Sequence, residues 1–439
     1  MLPDSDLVSA LPLFLVLGVI GVTVLLLTRG DRGRGEMALF LTAFAIRFAA
    51  SLAIYEGGLV EVIGDEDAQE WINGWTVKRY WELYQVGIFG LPSVLLDAYD
   101  SYNRGYMYFL AAVYYIWDFA DPGRLVGCVV NGFAGAMTAV LVYRAAHELF
   151  DRRVAMLSGW LACLFPSLII WSAQTIKEPI VILLQTLVVY VCLRLFRTRV
   201  ILAYLLLATI TIALLVPFRF YGAYLAAGIV AFSVFLRFAR NASAGNRRAM
   251  TSAGIGAALL VMAVVAVVFA ERETTFDLDY FTRIKAYSAT AGGSSVEQPF
   301  DTDTPAGFAL ATVFGVLHVL FAPLPWQWTG GTGRLMFTIP EVLAWWGMFF
   351  AGVWPGLRRA LRERFVEIQP VLLFLLVFGL LYGSSFGNVG LAYRHRAQLL
   401  PWLLILAAAG LEEWWRRRKA SAASRYRAFA ALHEENVRA

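Results

Sequence analysis

The sequence predicts an all-α polytopic membrane protein. Of its 439 residues, 59% are hydrophobic and only 16% are charged, and its mean hydropathy is +0.63. Soluble domains are typically about 45–50% apolar and about 25% charged, so this chain has too few polar residues for a water-facing exterior. Its apolar runs are long and continuous, whereas a membrane β-barrel needs short alternating segments. The three cysteines all lie in apolar stretches, which excludes a disulfide framework.

The apolar runs define the predicted membrane spans, since a spanning helix needs about 20 mostly apolar residues. Two further runs, 105–117 and 306–322, are shorter, and we expect both to lie at or dip into the outer membrane interface. The predicted spans are 8–28, 37–56, 124–146, 154–173, 180–196, 200–217, 221–238, 252–270, 336–355, 369–385 and 397–414, eleven in total.

The basic residues predict the orientation of these spans, because Lys and Arg collect in cytoplasmic loops. If the linker after the first span is cytoplasmic and the spans alternate, 23 of the 37 basic residues fall inside. Counting either shorter run as a full crossing would move basic loops to the outer face. The long loops 57–123 and 271–335 are therefore predicted to lie outside, and the Arg- and Ala-rich inner loops favour a bacterial plasma membrane.

This orientation divides the chain into three parts. An N-terminal span with its cytoplasmic linker covers 1–36, a transmembrane domain covers 37–414, and a cytoplasmic tail covers 415–439. Because the extramembrane mass is concentrated outside, we expect the chemistry at the extracytoplasmic face.

An acidic motif follows the second span. Asp65, Glu66 and Asp67 are consecutive, and such clustering raises the pKa of at least one carboxylate unless a cation lies nearby. A carboxylate of this kind could take a proton from an attacking hydroxyl. The three could instead share a divalent cation such as Mg²⁺ or Mn²⁺ through their oxygens. The motif is also compatible with an ordinary acidic first turn of a helix.

Aromatic residues follow the acidic motif at helical spacing. Trp71, Trp75 and Trp81 recur at intervals of four and six residues with Lys78 between them, which predicts an amphipathic helix at the membrane interface. Most such rings form an aromatic belt at headgroup level. Trp71 and Trp75 are also candidates for stacking on a sugar.

The order of several short motifs resembles one family of membrane enzymes. The motifs are Arg124-Leu125, Tyr143-Arg144, Phe165-Pro166-Ser167, Thr175-Ile176-Lys177-Glu178-Pro179 and Tyr393-Arg394-His395-Arg396. Together with the acidic first outer loop, this order is similar to the GT-C superfamily of integral membrane glycosyltransferases. The closest resemblance is to the lipid A aminoarabinose transferases and the protein O-mannosyltransferases, and it is strongest over 37–200. The span 8–28 is extra to that pattern.

The resemblance implies a GT-C-like fold and a donor sugar carried on a polyprenyl phosphate. It also implies an active site at the outer membrane surface, inverting chemistry, and a glycan, lipid or protein as acceptor. It assigns the general base to the first outer loop, where Asp67 matches one form of the family pattern and Asp65 matches another. Glu178 corresponds to an acidic residue that faces the catalytic cavity in the resembling families.

Five basic residues lie at predicted outer helix ends, where basic residues are otherwise depleted. They are Lys177, Arg219, Arg394, His395 and Arg396. The guanidinium fork matches phosphate geometry, so we predict that this set binds the lipid phosphate. Two ordinary alternatives stay open: helix-end capping before Pro179 for Lys177 and Glu178, and interfacial snorkelling for Arg219.

Other functions are less consistent with the sequence. The composition excludes a nucleic-acid partner despite the net charge of +5. A polysaccharide polymerase or ligase acting on polyprenyl-linked glycans is an alternative, but such enzymes usually have their large loop late in the chain. A lipid flippase or transporter is a second alternative. It is less consistent with the sequence because it would place ionisable residues near the bilayer midplane. Arg47 lies inside a span, where it is either functional or bonded to backbone.

The predicted orientation has a direct test. A cysteine placed at Ser294 should react with a membrane-impermeant maleimide added from outside, because 271–335 is predicted to be extracytoplasmic. A cysteine placed at Ser421 should react only after the membrane is permeabilised. The reverse pattern would contradict the orientation and every site assignment that depends on it.

Overall fold

The structure, a computed structural model, is helical almost throughout. It describes residues 6–28, 35–63, 70–85, 104–241, 294–302, 304–328 and 333–438. Within these ranges, the β-type pairing is limited to one isolated bridge between Ser295 and Asn388. The prediction of an all-α protein is confirmed.

The first half of the chain supplies the centre of the helical bundle. Its helices are α1 (Leu7–Thr28), α2 (Gly35–Tyr55), α3 (Val60–Ile63), α4 (Glu70–Tyr84), α5 (Gly105–Ile116), α6 (Arg124–Leu149), α7 (Arg152–Leu164), α8 (Pro166–Ser172) and α9 (Glu178–Leu195). The central helix is α6, which packs against α1, α2, α7 and α9. Small residues on α6 permit this close approach. At Gly135, an added Cβ would lie only 2.5 Å from Nε of Arg47.

The second half surrounds this centre. Its helices are α10 (Ile201–Leu215), α11 (Phe220–Asn241), α12 (Pro305–Phe321), α13 (Gly333–Met348), α14 (Trp354–Glu363), α15 (Gln369–Ser384) and α16 (Val389–Arg438). A π-helical turn, Phe349–Val353, joins α13 to α14. The long helix α16 packs against α7, α12 and α14, so it joins the two halves of the bundle.

Helix length and composition identify fewer spans than the sequence predicts. In the described part of the chain, α1, α2, α6, α9 and α11 are long and apolar enough to cross a membrane, and the bent pair α7–α8 would make a sixth. The spans predicted at 200–217 and 369–385 correspond to helices of 15 and 16 residues. The span predicted at 252–270 lies outside the described residues. A multi-pass membrane protein is thus supported, and the count of eleven is not confirmed.

A proline breaks the span predicted at 154–173. The axes of α7 and α8 differ by 53°, because Pro166 has no N–H to bond the carbonyl of Ala162. Arg47 of α2 supplies the missing donors, and its guanidinium lies 3.2 Å from the carbonyl oxygens of both Ala162 and Cys163. Of the two roles open to Arg47, the structure shows the backbone-bonding one.

Polar contacts sort the helix ends into two groups. At the end predicted to be cytoplasmic, each of four buried or partly buried ion pairs joins two helices, or a helix and the loop between two other helices. These pairs are Glu36–Arg144 (2.6 Å), Glu148–Arg194 (2.8 Å), Arg240–Glu367 (3.0 Å) and Arg359–Glu412 (2.8 Å). At the opposite end, the Asp6 carboxylate accepts the backbone N–H of Gly123 at 2.7 Å and of Val126 at 3.0 Å. The alternating spans predicted from the sequence divide these helix ends into the same two groups.

Both short helices predicted in the first outer loop are present, as α4 and α5. They pack through a small apolar cluster of Val77, Trp81, Met107 and Ala111. Beside it, the buried ammonium of Lys78 lies 2.9 Å from Glu82 of α4 and 2.6 Å from Asp118, just beyond α5. The two helices therefore form one unit, and their location at a membrane interface stays a prediction.

The role of Arg47 predicts a stability effect. Arg47→Met should lower the free energy of unfolding by about 1–3 kcal/mol for each buried carbonyl left without a donor. Thermal unfolding in detergent measures this loss. Arg153→Met, at an exposed position of α7, is the matched control and should leave the unfolding temperature unchanged. Equal unfolding temperatures in the two variants would show that Arg47 does not stabilise the break.

Candidate functional site

Three helix junctions are drawn together at the predicted outer end of the bundle. The side-chain amide of Asn131 in α6 lies 2.6 Å from the carbonyl oxygen of Gln174 and 2.8 Å from that of Ile176, which fixes the α8–α9 loop. The backbone N–H of Gly105 donates to the carbonyl of Pro217 at 3.0 Å, which joins α5 to the α10–α11 junction. The start of α16 completes the site. The side chains brought together, called here the outer cationic cluster, are Lys177, Arg219 and Arg394 around Glu178.

Glu178 lies at the centre of the outer cationic cluster. Its carboxylate Oε1 is 3.4 Å from a guanidinium nitrogen of Arg219 and 3.9 Å from one of Arg394. The exposed fractions of these side chains are only 2%, 6% and 15%, respectively. Arg219 also donates to the hydroxyl of Tyr382 at 3.4 Å. Because two guanidinium groups from separate elements point at one buried position, the arrangement suits an anionic ligand.

Lys177 connects the cluster to the first outer loop. Burial lowers the pKa of the Lys177 amine and Arg219 lowers it further, while the carboxylates of Glu178 and Glu70 raise it. Glu70, the first residue of α4, therefore lies within electrostatic range of Lys177.

The acidic motif Asp65-Glu66-Asp67 lies outside the described residues, so its roles as base and metal site stay predictions. Within the described ranges, no group of three or more His, Cys, Asp or Glu side chains is placed to hold a metal ion.

His395 contributes shape rather than charge to the site. Its imidazole stacks on the ring of Tyr382, with centroids 4.1 Å apart and planes 16° apart. Burial lowers the pKa of His395 well below its usual range, and the three cations of the outer cationic cluster lower it further. The imidazole is therefore neutral near physiological pH, and its predicted part in phosphate binding cannot come from a positive charge.

Arg396 is directed away from the outer cationic cluster. It is fully buried, donates to the carbonyl of Ala322 at 2.8 Å and lies over the ring of Tyr393 at 4.6 Å. The Tyr393 hydroxyl in turn donates to Glu341 of α13 at 2.5 Å. Arg396 thus ties α16 to the end of α12 and to α13, and the structure does not bring it to the other predicted phosphate ligands.

The two tryptophans predicted to stack on a sugar already carry cations. Trp71 is buried, and the guanidinium of Arg124 lies 5.1 Å from its ring centroid. Trp75 carries the guanidinium of Arg79 at 4.9 Å. One face of each ring is occupied in this way, and stacking on a sugar stays a prediction.

Two aromatic residues in the site were not among the sequence candidates. Trp171 lies beneath the guanidinium of Arg394, at 5.6 Å, and Tyr382 donates its hydroxyl proton to Gln398. A Trp or Tyr near a helix end is ordinary in a membrane protein, so neither residue carries a distinguishing signal. Gln398 could have been identified from the sequence, because a polar residue inside an apolar span is a functional candidate.

Comparison with known proteins identifies the fold. No family model matches the sequence, and no curated protein does. The chain is similar to the archaeal oligosaccharyltransferase AglB from Archaeoglobus fulgidus in complex with an inhibitory peptide and a dolichol-phosphate, with a TM-score of 0.51 and 15% identity, covering 88% of this chain and 51% of that one. The Archaeoglobus fulgidus oligosaccharyltransferase tethered with an acceptor peptide containing the NVT sequon gives a TM-score of 0.50 and 14% identity, covering 86% and 50%.

A weaker similarity is to ArnT from Cupriavidus metallidurans bound to undecaprenyl phosphate, with a TM-score of 0.46 and 14% identity, covering 86% of this chain and 60% of that one. The fold assignment rests on the two oligosaccharyltransferase structures. The chain has the GT-C fold, as the resemblance in its sequence implied. It spans about half the length of these oligosaccharyltransferases.

The neutral His395 predicts a pH dependence of stability. Its pKa is depressed in the folded protein, so below the ordinary value of 6.5 the unfolded chain binds a proton that the folded protein does not. Stability is therefore lost as pH falls below that value, by about 1.4 kcal/mol per pH unit. His395→Gln should flatten the decline in unfolding temperature between about pH 7.5 and about pH 5.5. Parallel declines in the variant and the unaltered protein would contradict a neutral imidazole.

Proposed function

We propose that this protein is a membrane glycosyltransferase that moves a sugar from a polyprenyl-phosphate donor to a glycan, lipid or protein acceptor. The observation that carries the proposal is the convergence of Arg219 and Arg394 on one buried position at one end of a GT-C fold. The similar archaeal oligosaccharyltransferase is in complex with a dolichol-phosphate. That ligand belongs to the lipid class proposed here as the donor's carrier.

The outer cationic cluster would hold the donor's phosphate. Hydrogen bonds from cationic groups to phosphate contribute about 1.5–3 kcal/mol each when water is largely excluded. As the bond between the sugar and the phosphate breaks, negative charge grows on the phosphate oxygens. Cations fixed around them stabilise this transition state more than the bound donor.

We assign the general base to Asp67, with Asp65 as the second candidate. The acceptor nucleophile attacks the anomeric carbon on the face opposite the leaving phosphate, which inverts that centre, and it loses a proton as it does so. A positioned carboxylate that accepts this proton contributes about 10²–10⁴-fold to the rate. Glu70, which follows the acidic motif in the sequence, raises the pKa of Lys177, and this supports a role for the motif at the phosphate site. Glu178 is a further candidate catalytic residue. It would act through its negative charge rather than as the base, since two arginines already engage its carboxylate.

The acidic motif would also hold any divalent cation that the reaction uses. Asp65, Glu66 and Asp67 supply the carboxylate oxygens that Mg²⁺ and Mn²⁺ prefer. A bound ion there would offset the negative charge of the motif and of the leaving phosphate.

We place this site at the extracytoplasmic face of the cell membrane. The outer cationic cluster lies at the end of the bundle opposite the ion pairs of the basic loops, such as Arg359–Glu412. Cytoplasmic loops are the ones expected to be rich in Lys and Arg. The donor lipid would then reach the site from the outer leaflet.

The proposed base leads to a prediction about catalysis. Asp67→Asn should abolish transfer of a radiolabelled sugar from an undecaprenyl-phosphate donor to membrane acceptors, because the amide keeps the shape and loses the proton acceptor. Binding of undecaprenyl phosphate by the purified variant should stay near the unaltered level. Asp65→Asn should cost less activity.

Asp121→Asn is the control for this experiment, since Asp121 is a half-exposed carboxylate of the same loop that pairs with Arg79. It should retain transfer. Transfer at an unaltered rate in Asp67→Asn would remove Asp67 from the mechanism. Unaltered rates in both Asp67→Asn and Asp65→Asn would show that neither aspartate of the acidic motif is the general base.

A further inference from the structure

Glu178 occupies the position that an anionic ligand of the outer cationic cluster would take. It lies between Arg219 and Arg394, and its side chain is only 2% exposed. The guanidinium donors that face Glu178 are the same ones that a bound phosphate would need. The site therefore already contains an anion, and that anion belongs to the protein.

The contacts of Glu178 with its two arginines are longer than the closest arginine contacts of Glu36 and Glu148. Arg144 lies 2.6 Å from Glu36, and Arg194 lies 2.8 Å from Glu148. Those distances are typical of ion pairs joined by charge-assisted hydrogen bonds, for which about 2.7–2.9 Å is usual. Glu178 instead lies 3.4 Å from Arg219 and 3.9 Å from Arg394. It lies between the two arginines without a close contact to either guanidinium group.

We infer that Glu178 is an internal anion that occupies the phosphate site in the donor-free protein and is displaced when a phosphate binds. This inference rests on the proposed function, in which that phosphate belongs to a polyprenyl lipid. Without an anion, Arg219 and Arg394 would repel each other in a poorly solvated site. With both anions present, the carboxylate and the phosphate compete for the same donors and repel each other.

The competition has a consequence for turnover. After sugar transfer, the lipid phosphate carries more negative charge than it did in the donor, so the cluster alone would hold the product more tightly than the substrate. An internal carboxylate that returns to Arg219 and Arg394 favours release of this product. Glu178 would therefore weaken phosphate binding while it stabilises the empty site.

The test compares two carboxylate-to-amide substitutions. Glu178→Gln removes the charge at the phosphate site, and Glu148→Gln removes an equally buried carboxylate from an ion pair at the opposite end. Affinities for undecaprenyl phosphate and for inorganic phosphate are measured on the purified full chain in detergent. Thermal unfolding is recorded with and without each probe. Glu178→Asp, which keeps the charge on a shorter side chain, serves if Glu178→Gln folds poorly.

We expect Glu178→Gln to bind both probes about tenfold more tightly than the unaltered protein, a typical size for coupling between two sites. Its unfolding temperature without phosphate should be lower, and added phosphate should recover the loss. Glu178→Asp should bind with intermediate affinity. Glu148→Gln should unfold at a lower temperature and bind both probes as the unaltered protein does.

Equal or weaker binding by Glu178→Gln overturns the inference, even where the unaltered protein binds undecaprenyl phosphate and the proposed function stands. Tighter binding of inorganic phosphate alone, with no binding of undecaprenyl phosphate by either protein, supports the internal anion and contradicts the lipid donor. Absence of binding to both probes in every protein contradicts both proposals.

Discussion

Charged groups enclosed by apolar helices need partners, and this requirement shapes both ends of the bundle. A buried charge without a counter-charge or a set of backbone dipoles is strongly unfavourable. At the predicted inner end, carboxylates such as Glu36 meet arginines at hydrogen-bond distance. In the middle, Arg47 uses carbonyl oxygens that Pro166 leaves unbonded. At the predicted outer end, Glu178 lies 3.4 Å from Arg219 and 3.9 Å from Arg394. These longer distances agree with the ligand exchange that we propose at the outer end.

The proline break and the functional site depend on the same short segment. Pro166 turns the chain from α7 into α8, which places Trp171 beneath Arg394 and leads directly into the loop that carries Lys177. Asn131, from the central helix, holds this loop by its carbonyl oxygens. A continuous helix over these residues would have projected the loop elsewhere. The element that weakens a span as a regular helix therefore helps to assemble the site.

Much of this arrangement could be predicted from sequence, because it follows from composition and periodicity. Apolar runs predicted the helices, and the scarcity of outer basic residues drew attention to Lys177, Arg219 and Arg394. The directions of the arginine side chains were not predictable. Arg394 and Arg396 are two residues apart on one helix, where successive side chains are about 100° apart around the axis, and they contact different partners. Nor was the neutral state of His395 predictable, because its pKa depends on burial and on cations from other elements. The acidic motif stays a sequence-based assignment.

The cations of the site lie at helix junctions, which explains how the site could stay rigid while the anion bound there is exchanged. Arg144 lies close to its carboxylate partner Glu36, at 2.6 Å. Arg219 and Arg394 belong to separate elements, whose backbones are held by contacts that do not involve the charges, such as the Gly105–Pro217 hydrogen bond. Because the scaffold does not depend on an ion pair at the site, the anion between the two arginines can change without loss of the fold. The reversible phosphate binding that we propose would use this arrangement, in which backbone contacts hold the elements and the charges are left to bind the anion.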